Sequence, residues 1–161
     1  MKSGELNDLL NDLRDTLESS GASAVTAPQL GIELQVLAIR ANLLDTDEPS
    51  SAVKIVVNPM LEPGHGEPIY DWEGCLSIPG LKGLVPRYPA IRLRGVDHVG
   101  EPLDLGAEGE TARVLQHAHD HLSGVVFLDR MGDLRSLSFK QEWLEFLNVS
   151  DSEDSESDSS E

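Results

Sequence analysis

Gln116-His117-Ala118-His119-Asp120-His121-Leu122 carries three of the chain's five histidines within five residues. It closes a segment, Glu110 to Leu122, in which Ala112, Leu115, Ala118 and Leu122 recur at helical spacing, and that spacing predicts an α-helix. Side chains four apart on a helix stand one above the other, so His117 and His121 can direct their imidazoles at a common point. His119 lies about 200° around the axis from His117 and is expected on the surface. Two histidines do not complete a catalytic metal site, which takes three protein ligands and keeps an open position. Cys75, the single cysteine among 161 residues, is the candidate for the third ligand. The competing reading is a chance histidine pair and a small buried cysteine elsewhere, because H-x-x-x-H alone is a weak signal.

Working outward, Pro68 to Trp72 reads as extended chain leading to Glu73-Gly74-Cys75-Leu76-Ser77. Leu6, Leu9, Leu10, Leu13 and Leu17 form one stripe of an amphipathic helix over residues 3–18, ended by Gly21. Ala22 to Gly31 reads as a turn segment of small residues. Strands are expected at Leu34–Ile39 and Lys54–Pro59, with a turn at Pro63–Gly66. Ala90 to Val96 alternates apolar and basic residues, and Asp97-His98-Val99-Gly100 turns it into a hairpin with Glu101–Leu105. A last helix is expected over Ser138–Leu147, with Phe139, Trp143, Phe146 and Leu147 on its apolar face. The order of elements predicts an α+β domain over residues 1–147. Residues 148–161 form an acidic, serine-rich tail of a composition that stays disordered.

The formal charge is −17, and six acids with no base occupy the last eleven residues, so the body is acidic in its own right. Such a chain lacks the basic footprint that nucleic-acid binding needs. One cysteine excludes an intramolecular disulfide. No apolar run approaches the roughly 18–20 residues of a membrane span. Met1 to Asp8 resembles neither a secretory signal nor a transit peptide. The chain is therefore expected to be cytoplasmic and monomeric, with no membrane or nucleic-acid partner.

Glu73-Gly74-Cys75-Leu76-Ser77 together with Gln116-His117-x-x-Asp120-His121-Leu122 closely resembles the second and third motifs of peptide deformylases. The resemblance continues through Ile78-Pro79-Gly80, Leu84-Val85-Pro86-Arg87 and Gly124 to Met131, and Thr26 to Gly31 is similar to the end of the first motif. It covers about Leu6 to Met131. It implies antiparallel sheets packed around a central metal-binding helix. It also implies a hydrolase that removes the formyl group from the N-terminal formyl-methionine of nascent polypeptides, with the ribosome as a candidate partner. By motif, Cys75, His117 and His121 would hold one Fe²⁺ or Zn²⁺ per chain, where activated water attacks the formyl carbon. The backbone N–H of Leu76 and the side-chain amide of Gln29 would face the oxyanion. Gly31 and Arg87 would belong to the substrate-binding cleft, the alternative for Arg87 being a surface strand position.

One departure bears on chemistry. The family's third motif reads H-E-x-D-H, and Ala118 stands at the glutamate position. In the family that carboxylate takes a proton from the attacking water and delivers it to the leaving amine; a methyl group does neither. The first motif, usually glycine-rich at its start, here reads Ala22-Ser23-Ala24. The chain also begins directly at the first helix, without the extended segment that precedes it in typical members. The expectation is a deformylase with impaired catalysis. The alternative is a catalytically inactive homologue acting as a peptide- or partner-binding module. A weaker reading makes the acidic tail, with Ser150 and Ser155 as phosphorylation candidates, an interaction module.

Overall fold

The computed structural model describes residues 3–44 and 52–145. Contacts divide these into two compact units, the residues up to Ile69 with Arg87–Val126, and Tyr70–Pro86 with the residues from Phe127 onward. The acidic tail lies outside the described residues.

The first unit is built on a five-stranded antiparallel sheet: β1 (Ala24–Thr26), β2 (Val36–Arg40), β3 (Val53–Pro63), β6 (Ala90–Val96) and β7 (Pro102–Glu108), adjacent in that order. Two helices cover its two faces. Helix α1 (Ser3–Ser20) buries Leu9, Leu10, Leu13 and Leu17 against Val25, Val36, Ala38 and Ile55. Helix α2 (Gly109–Leu122) buries Ala112, Leu115 and Leu122 against Leu37, Ile39, Val56, Ile91 and Leu93. Successive residues of β2 thus point to opposite helices, which explains why Val36-Leu37-Ala38-Ile39 is a continuous apolar run. Each buried Leu contributes about 1.5–3 kcal/mol relative to exposure.

Polar side chains fasten the helix ends. Arg40 donates from Nε to the Ala22 carbonyl and from Nη2 to the Leu17 carbonyl, both at 2.7 Å, satisfying an orphan acceptor of α1. Gln35 Nε2 donates to the Leu122 carbonyl at 2.9 Å, doing the same for α2.

The sheet bends at one bulge. Between the pairs Val57↔Val96 and Met60↔Arg94, Asn58 and Pro59 oppose Gly95 alone. Asn58 adopts φ 50°, and a Cβ on Gly95 would meet Val57 O at 2.8 Å, so this position needs glycine. The β6–β7 hairpin is as expected from sequence. Asp97 Oδ1 accepts from the N–H groups of Val99 and Glu101, both at 2.9 Å. Partial removal from water pushes the Asp97 carboxyl up, but the backbone donors Glu101, Val99 and Gly100 outweigh this and leave it below its ordinary value.

The second unit carries a three-stranded sheet ordered β4 (Ile69–Cys75), β5 (Ile78–Arg87) and β8 (Ser138–Phe139), with the short helix α3 (Phe127–Arg130). Trp72 packs on Trp143 with ring centroids 6.1 Å apart, and Lys82 Nζ lies 4.7 Å from the Trp143 ring.

Two expectations need correction. Ala22–Gly31 is not simply a turn: Ala24–Thr26 pairs with Leu37–Ile39, and Ala27–Leu30 is a 3₁₀ helix. The last helix does not begin at Ser138, because Ser138 and Phe139 pair with Lys82 and Leu81 as a strand. Helical residues follow at 140–145, and the expected Phe146 and Leu147 lie outside the described residues. Phe139 is 66% exposed and serves no buried helix face. No helix among the described residues is long and apolar enough to cross a membrane.

Candidate metal centre

Helix α2 places His117 and His121 as the i, i+4 spacing requires. The Nε2 atoms of His117 and His121 stand 3.2 Å apart, with ring centroids at 5.0 Å and planes at 72°. A tetrahedral ion bonded to two imidazoles at about 2.0–2.1 Å holds their nitrogens about 3.3–3.4 Å apart. The pair fits one ion. His121 is buried and His117 half-buried, which limits competition from bulk water. His119 is half-buried rather than fully on the surface, and it stands off the His117–His121 stripe by helix geometry.

Cys75 ends β4 in the second unit as a half-buried thiol in no disulfide, immediately before the Leu76–Ser77 turn. The turn leaves Leu76 55% exposed. Cys75 carries a thiol, and His117 and His121 an imidazole each, all three residue types that can give a metal one ligand atom. Soft thiolate and imidazole suit iron or zinc better than magnesium or calcium.

Gln29 sits in the 3₁₀ helix after β1. Its Oε1 accepts from the Thr26 N–H at 2.9 Å and from the Thr26 hydroxyl at 3.1 Å. That reciprocal cap fixes the rotamer and turns the Nε2 end of the amide away from Thr26. Thr26, fully buried, was not singled out by sequence; its spacing of three from Gln29 is the capping-box signature that could have revealed it. Gly31 ends the 3₁₀ helix with φ 77°, a left-handed conformation that L side chains resist.

Ala118 is 3% exposed, and nothing in its methyl group can exchange a proton. Arg87 is not a surface residue. It is 5% exposed, and its Nη1 lies 2.6 Å from Asp120 Oδ2, itself buried. Asp120 is therefore engaged with a cation rather than standing in for a general base.

The family profile described as polypeptide deformylase matches residues 1–136. The chain belongs to this family. Peptide deformylase 1 of Nitrosomonas europaea is 41% identical over 137 residues, covering 84% of this chain and 78% of that protein. A peptide deformylase from Legionella pneumophila superimposes with TM-score 0.71 at 34% identity, covering 81% of this chain and 73% of that one. A class I type b peptide deformylase from Acinetobacter baumannii, crystallised with Met-Ala-Ser bound, gives TM-score 0.68 at 29% identity, covering 78% and 80%. Deformylases are metal-dependent hydrolases, and thiol and imidazole are donor types that suit such an ion. The fold expected from the resemblance, helices with antiparallel sheet, is the fold observed.

Proposed function

We propose that this chain removes the formyl group from N-terminal formyl-methionine of nascent polypeptides, in the cytoplasm and as a monomer, with weak turnover. Family membership over residues 1–136 supports the reaction, and the Nε2 convergence of His117 and His121 is the observation that carries the metal site. Cys75 completes the ligand set with those two histidines, and the ion is Fe²⁺ or Zn²⁺, one per chain. A divalent ion held there supplies Lewis-acid polarisation and a more acidic water.

The residues divide the remaining work. In the hydrolysis, water oxygen bonds to the formyl carbon, the C–N bond breaks, and formate and a free α-amino group leave. The Leu76 N–H and the Gln29 side-chain amide donate to the oxyanion, each such donor contributing typically about 3–4 kcal/mol. The Thr26 cap supports this role for Gln29 by presenting Nε2 instead of Oε1. Gly31 and Arg87 border the peptide: Gly31 through its αL backbone, and Arg87 indirectly, because its guanidinium is already paired with Asp120. At Ala118 there is no group to take the water's proton or return it to the amine, so both transfers fall to solvent.

Ala118 also favours a second reading, a metal-holding module that binds N-terminal methionine peptides, or a partner such as the ribosome, without cleaving. Cys75→Ser tests the site that both readings share. Metal content should fall from one ion per chain to a small fraction, measured by elemental analysis after gel filtration. Unchanged stoichiometry refutes Cys75 as a ligand.

A further inference from the structure

Each candidate ligand on α2 follows a residue that is bonded to the chain at positions 87 and 88. Gln116, one residue before His117, makes a reciprocal pair with the Tyr88 backbone: Tyr88 N–H donates to Oε1 at 3.0 Å, and Nε2 donates to Tyr88 O at 2.8 Å. Gln116 Nε2 also donates to Ala112 O at 3.0 Å within the helix. Asp120, one residue before His121, accepts from Arg87 Nη1 at 2.6 Å. Gln116, Asp120 and Arg87 are 7%, 5% and 5% exposed. Two buried polar side chains a turn apart on one helix, both engaged by the adjacent positions 87 and 88, are more than satisfied hydrogen-bond partners.

We propose that Gln116 and Asp120, with Arg87 and the Tyr88 backbone, act as a two-point clamp that fixes the rotation of α2 about its own axis. Gln116 and Asp120 are four apart and share one stripe; His117 and His121 are four apart and share the stripe about 100° further round. Core packing of Ala112, Leu115 and Leu122 decides which face of α2 turns inward, and two polar contacts a turn apart on one stripe narrow the roll that packing leaves. Because both histidines ride on α2, rolling would preserve their mutual spacing and change only where they aim. At a side-chain radius of about 5–6 Å, a roll of about 20° displaces a ring tip by about 2 Å, a whole metal–nitrogen bond. Gln116, Asp120 and Arg87 are thus positioning residues for the metal ligands, and Arg87 influences the cleft through α2. This inference rests on the Cys75, His117 and His121 reading of the site.

The test uses Co²⁺ alone, followed by its visible absorption and by equilibrium titration, on the full chain. Arg87→Met/Asp120→Leu removes both buried charges together, a replacement that often leaves stability intact. Its melting temperature should stay close to wild type while Co²⁺ affinity falls about 10–100-fold, the usual cost of losing support around a ligand. The intensity of the absorption bands should fall as well. Gln116→Met removes the other point without touching a charge and should weaken Co²⁺ binding about tenfold. Either variant, folded and binding Co²⁺ with wild-type affinity and spectrum, overturns the clamp and reduces these residues to a structural role. A wild-type chain that takes up no Co²⁺ overturns the metal reading itself, and the clamp with it.

Discussion

Ala118→Glu raises kcat/KM for an N-formyl-methionyl peptide by about 10²–10⁴-fold, the range that a positioned general acid–base group supplies. Position 118 follows His117 directly on the helix where His117 and His121 converge at 3.2 Å, and it is 3% exposed. A carboxyl group introduced there is largely desolvated, which raises its pKa toward the working pH and suits it to take a proton and give it back. The substitution adds volume and a polar group to a buried position, and should cost about 1–3 kcal/mol of stability. Rates are therefore compared per folded, metal-loaded chain. Ala118→Gln matches the size without the proton exchange and should remain near wild type. If the metal-loaded Glu variant gains nothing over wild type, the impaired-catalyst reading fails and the binding module is favoured.

Removing the metal should have the second large effect. An ion that binds only the folded chain stabilises it by about 4.1 kcal/mol when present at 1,000 times its Kd. At roughly 2–4 °C per kcal/mol for a chain of this size, chelation should lower Tm by about 8–16 °C. Formate release should stop at the same time and return when Fe²⁺ or Zn²⁺ is restored. Calorimetry of the chelated and reloaded chain reads the first effect. A Tm that does not move when the ion is stripped means that α2 is organised without it, and that the site carries no folding energy.

The parts of the fold legible in sequence were those with local signals. Helix α1 announced itself by its leucine stripe, α2 by its alanines and leucines, and the β6–β7 hairpin by alternation around Asp97–Gly100. Strands β1 and β8 were not legible. Three residues, Ala24–Thr26, are too short for a period of two to register, and Ser138–Phe139 pairs with residues more than fifty positions away. There the helical spacing of Phe139 and Trp143 was the stronger local pattern, yet tertiary pairing decided the outcome. At the candidate site, the convergence of His117 and His121 followed from i, i+4 spacing and the family from its motif words. The engagement of Arg87 by Asp120 did not follow, because nothing in either segment encodes that a strand end and a helix turn 33 residues later share a buried contact.

The function proposed for this chain is metal-dependent deformylation slowed by the missing carboxylate. The direct measurement is formate released from N-formyl-Met-Ala-Ser by the wild-type chain carrying one equivalent of Fe²⁺, before and after chelation. The expected result is slow release that chelation abolishes and added metal restores. Release that continues undiminished in the chelated protein would contradict it.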